Sequence, residues 1–130
     1  MAREYLKEYS KDFLAKAKRF IEIAKTSLDK FPEESAFNAT QAAINANDAI
    51  TVFVLQKRAS MDHREVVLLD GEISAKLGID RSRFSAVNEA LDMRSSTGYD
   101  VKKTLKTGEC SLLIKRVERF VNWVESIITG

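Results

Sequence analysis

Leu6, Phe13, Ala17, Phe20, Ala24 and Leu28 recur at three-, four- and seven-residue spacings between Arg3 and Lys30. That rhythm places them on one face of a helix and sets the intervening charged residues on the other. Phe31-Pro32 ends the pattern. Pro32 fits the first turn of a second helix, or the turn just before it, and Glu33 and Glu34 favour a helix start electrostatically. The second predicted helix runs to about Lys57. It is crowded with Ala36, Ala39, Ala42, Ala43, Ala46 and Ala49 and contains no glycine. Small side chains let neighbouring backbones come close, so this helix is predicted to form the centre of a bundle.

A basic Lys57-Arg58 turn leads to Asp62, a fitting N-cap, with Glu65 three residues on in a capping-box-like arrangement. The third helix is apolar through Val66, Val67, Leu68 and Leu69 and extends toward Ala75 despite Gly71. Gly78 and Asp80 mark a loop. Arg81 to Met93 is predicted as a fourth helix, with Phe84, Val87, Ala90 and Leu91 facing inward. Ser95 to Asp100 breaks the regularity, and Thr107 can cap a last helix carrying Leu113, Val117, Phe120, Val124 and Ile127. The expected fold is all-α: an antiparallel up-and-down bundle of about five helices, forming a single domain over residues 1–130.

Composition narrows the class without naming a function. Hydrophobic residues make up 45% of the chain and charged residues 31%, as in an ordinary globular protein. The aromatics Phe13, Phe20, Phe37, Phe53, Phe84, Phe120 and Trp123 read mostly as core. A single cysteine, Cys110, excludes an internal disulfide and a Cys-rich zinc site. No apolar run is long enough to cross a membrane and the start is strongly charged, so a cytoplasmic protein without a membrane partner is expected. The net charge of +2 is not that of a general nucleic-acid binder. Residues 81–130 nevertheless hold nine Lys/Arg against six Asp/Glu, including a cluster at Lys102, Lys103 and Lys106 and another at Lys115, Arg116 and Arg119. Solvated helix faces account for both clusters in the plainest reading.

Candidate chemistry is sparse. Asn45, Asn47 and Asp48 interrupt the small-residue helix, where a purely structural core rarely places polar groups. A buried Asp48 needs a partner, and a salt bridge to Arg94 or Arg64 competes with a functional role. His63, the only histidine, either bonds a neighbouring helix or joins Asp48 and Arg94 in a site across the bundle. No spacing indicates a metal, and no cofactor is expected. Ser95, Ser96 and Thr97 can contact phosphate beside Arg94, but they also read as a helix-ending loop. Cys110 reads as a small buried hydrophobe.

The order of parts resembles the HEPN superfamily, small all-helical proteins found alone or beside nucleotidyltransferases in prokaryotes. The alanine-rich helix with NANDAI, the basic turn and DHREVVLL resemble that family's second and third helices. LDMRSSTGYD followed by a long amphipathic helix resembles its C-terminal half, and the likeness extends over residues 10–128. Ribonuclease members carry an Arg followed four to six residues later by His. The His moves a proton and the Arg steadies the scissile phosphate. Here Arg94 matches the Arg, but Tyr99 stands five residues on and no His follows His63. A tyrosine hydroxyl with an ordinary pKa near 10 is a poor base at neutral pH. The resemblance implies a homodimeric binding module that engages RNA, a nucleotide or a partner protein without catalysis. Its binding candidates are Arg94, Tyr99, Asp48 and His63. A divergent metal-independent ribonuclease toxin, with a nucleotidyltransferase antitoxin as partner, is the alternative, and a structural or assembly module a third. The apolar residues Phe120, Trp123, Val124, Ile127 and Ile128 exceed what one helix face needs, which also points to a dimer.

Overall fold

A computed structural model describes residues 2–59, 62–99 and 106–130, the side chains of 94–99 excepted. Its five α-helices are α1 (Ser10–Ser27), α2 (Pro32–Leu55), α3 (His63–Leu77), α4 (Ser85–Tyr99) and α5 (Thr107–Thr129). Short 3-10 turns over Lys7–Tyr9 and Arg81–Phe84 precede α1 and α4. The all-α bundle expected from the periodicity is therefore the observed fold.

The alanine-rich α2 is its axis, packed most extensively on α1 and also on α5, α4 and α3. All six alanines are fully buried. Their small side chains leave room for surrounding helices, whose Ile21, Phe84, Val87, Leu113, Val117 and Phe120 fill the core. Phe84 meets Phe120 and Trp123 edge-on, with ring centroids 5.9 and 5.7 Å apart, fixing the turn before α4 against α5. Phe37 departs from the expected aromatic core and is exposed.

Local signals set the ends of the helices. Pro32 occupies the first turn of α2. The Asp62 carboxylate accepts the Arg64 backbone N–H at 2.9 Å and caps α3 as expected. Gly78 ends α3 in the left-handed region at φ 66°, a conformation glycine adopts without Cβ strain. Gly71 lies inside α3 because the Arg81 guanidinium covers it, 2.7 Å from where a Cβ would stand.

Four expectations about the elements are corrected. The N-terminal helix starts at Ser10, because Arg3–Glu4 (β1) pairs antiparallel with Lys57–Arg58 (β2). The second helix stops at Leu55, where Gln56 turns left-handed at φ 54° and reverses the chain into β2. α4 runs on to Tyr99 through residues expected to end it at Met93. The N-cap of α5 is Lys106, with Thr107 the first helical residue.

Candidate functional site

Because α2 is buried on nearly every face, each polar group on it must find a partner. Thr40 and Thr51 bond back to carbonyls one turn earlier, as does Asn45 to Gln41. Asn47 and Asp48 instead face α3 and β2. Asp48 Oδ2 receives Arg58 Nε at 3.0 Å, so its partner is neither of the arginines expected from sequence. Arg64 lies in solvent, 3.9 Å from Asp62, and the Arg94 side chain is outside the described residues. Arg58 is itself held in place. Its guanidinium lies over the Phe13 ring at 4.9 Å and receives support from Tyr5. Burial pushes the Asp48 carboxyl up to about 6 against the pull of Arg58.

Opposite Asn47 stands Asp70 on α3, only 5% exposed. Burial drives its carboxyl up to about 8; the hydrogen bond from Asn47 opposes this and the charge of Asp48 adds to it. At neutral pH Asp70 therefore holds its proton. Beside it lies a cavity of about 40 Å³ walled by Val67, Gly71, Phe84, Asn88 and Arg81. Asp70 went unnoticed in the sequence because it follows Val66–Leu69 and precedes Gly71, where an aspartate reads as the end of an apolar run.

The expected candidates do not assemble into one site. His63 is exposed at the start of α3, with Nε2 3.3 Å from Asn88 Oδ1 on α4. This is the interhelical bond weighed against a catalytic role. No hydrogen bond or ion pair among the described residues joins His63 to Asp48. The side chains of Arg94 and Tyr99 lie outside the described residues. Cys110 is fully buried, and burial raises its thiol pKa, so it is packed as a hydrophobe. Among the described residues no cluster of His, Cys, Asp and Glu has the arrangement of a metal site. No helix there is long and apolar enough to cross a membrane.

A second feature lies at the other end of α4. Between the 3-10 turn and α5 opens a groove of about 540 Å³, lined by Arg83, Arg116, Arg119, Ser82, Ser85 and Phe120 among others. The three arginines come from two elements brought together by the Phe84–Phe120–Trp123 contact. Arg83 is stacked over the Trp123 ring at 5.3 Å. Arg116 Nη1 contacts both carboxylate oxygens of Glu89, at 2.9 and 3.0 Å. Arg119 is exposed and makes no ion pair among the described residues. Asp80 also borders the groove, its carboxylate turned to the Ser82 N–H at 2.8 Å. The sequence showed Arg116 and Arg119 as a charge cluster. It could not show that Arg83, more than thirty residues earlier, faces them.

The apolar tail of α5 is used within the chain. Phe120, Val124 and Ile128 are buried, and Trp123 and Ile127 pack against the core. Trp123 and Ile127 remain half-buried. No protein-family model matches this sequence, and no curated protein shows significant similarity to it.

Proposed function

We propose that the protein is a HEPN-like binding module that engages single-stranded RNA through its phosphates, without cleaving it, at the groove of Arg83, Arg116 and Arg119. The observation that carries this reading is the convergence of three guanidinium groups from two elements on one open groove. A guanidinium grips a phosphate through two parallel N–H donors. Stacking on Trp123 presets Arg83, and among the described residues Arg119 has no carboxylate to leave before it binds. The groove is large enough for a nucleotide unit. Arg94 lies about 14 Å along the α4 axis from Ser85, counted at the helical rise per residue. The groove is therefore separate from the Arg94–Tyr99 segment implied by the family resemblance. The half-present ribonuclease motif supports binding without cleavage.

Fluorescence anisotropy with a labelled single-stranded RNA tests the reading. The Arg83→Ala/Arg119→Ala double variant should weaken binding by about tenfold or more. It should also lower the slope of log affinity against log salt by about 1.4, the share of two phosphate contacts on a single strand. Arg94→Ala, measured beside it, reports on the resemblance. The RNA should stay intact in metal-free buffer. Unchanged affinity and salt slope in the double variant would remove the groove from the function.

A further inference from the structure

Glu89 stands one turn beyond Ser85 on α4 and does not line the groove, but it holds an arginine that does. Its two carboxylate oxygens both accept from one nitrogen of Arg116, Nη1, at 2.9 and 3.0 Å. A carboxylate in the usual forked pairing takes two guanidinium nitrogens. Here Nε and Nη2 make no hydrogen bond among the described residues, so the fork they form together is left open.

Stability accounts for little of this arrangement. The Arg116 and Glu89 side chains are 47% and 36% exposed, and ion pairs so open to water add little to a fold. What the pair does change is the freedom of Arg116. An unheld arginine must be immobilised when it grips a ligand, and that loss of rotamer freedom weakens binding. Fixed at Nη1, Arg116 has already given up that freedom. Trp123 presets Arg83 in the same way, with its ring centroid 5.3 Å from the guanidinium.

We propose that Glu89 is a positioning residue of the groove: it anchors Arg116 through Nη1 and presents the Nε–Nη2 fork to an RNA phosphate. This role rests on the reading of the groove as an RNA site. A carboxylate beside a phosphate site repels the ligand, so charge alone predicts that removing Glu89 tightens binding. Positioning works in the opposite direction, because a variant that releases Arg116 must order it again. Glutamine separates the two effects. It is as neutral as alanine but keeps an amide oxygen that can accept from Nη1.

Fluorescence anisotropy with the same labelled single-stranded RNA, on Glu89→Ala and Glu89→Gln, tests the role. The alanine variant should bind at least about threefold more weakly than the glutamine variant, the effect of ordering one arginine side chain. In an Arg116→Ala background the two should bind equally, because the anchor then has nothing to hold. Equal affinity of the two variants with Arg116 present would overturn the positioning role. So would a difference that survives in Arg116→Ala. Both outcomes leave the groove standing as long as Arg83→Ala/Arg119→Ala still weakens binding. If that double variant binds as the wild type does, the groove and the positioning role fall together. Circular dichroism of both Glu89 variants should match the wild type. If Glu89→Ala loses helix, Glu89→Ser, also too short to reach Arg116, takes its place in the comparison.

Discussion

Asp70 illustrates how one residue sets a property of the whole chain. A carboxyl whose pKa is raised on folding holds its proton longer in the folded state than in the unfolded one. Its stabilising contribution is complete below the ordinary value of 3.8 and is lost as the pH rises through about 8. Asp48 behaves in the same sense over a narrower window, up to about 6. Stability should therefore fall between pH 4 and pH 8, which denaturant midpoints across that range will show. Asp70→Asn keeps an oxygen for Asn47 but cannot ionise. It should leave Tm nearly unchanged near pH 3.8, the ordinary value, and raise it increasingly toward pH 8. The sequence revealed that Asp48 would need a partner, but its choice of Arg58 depends on a chain reversal at Gln56 that no local propensity announces. Asp62 was legible because a cap acts within three residues of itself.

For elements, legibility follows the range of the interaction. α1 and α5 show their buried faces directly in a repeating apolar pattern, and Pro32 and Gly78 mark ends through backbone geometry alone. The continuation of α4 beyond Met93 was not legible, since Ser95, Ser96, Thr97 and Gly98 are weak helix formers. β1 and β2 were hidden for another reason: two-residue strands carry no alternation to detect. The axis helix yields a sharp expectation. Ala46 is fully buried where helices approach closely, so Ala46→Leu must push them apart. It should cost ~2 kcal/mol or more and lower Tm by about 7 °C in a thermal melt. Gly78→Ala should cost ~1 kcal/mol by the same measurement, because its φ of 66° strains any residue with a Cβ.

Across the whole molecule, the buried polar seam and the basic groove lie on different interfaces of one bundle, α2–α3 and the junction of α4 with α5. Variants of one should leave the other intact. Arg83→Ala/Arg119→Ala should keep the wild-type helical circular dichroism and pH profile, while Asp70→Asn should keep the salt slope of RNA binding. The β-ribbon links distant parts of the chain more closely than its size indicates. Arg58 belongs to β2, which is hydrogen-bonded to β1, and Tyr5 just beyond β1 supports its guanidinium. The same guanidinium is the counter-charge of Asp48, deep on the central helix. The opening residues thus act as a guy-rope on the ionisation of the interior. Slackening them by deleting residues 2–5 would let Arg58 swing outward, and Asp48 would then keep its proton to a higher pH.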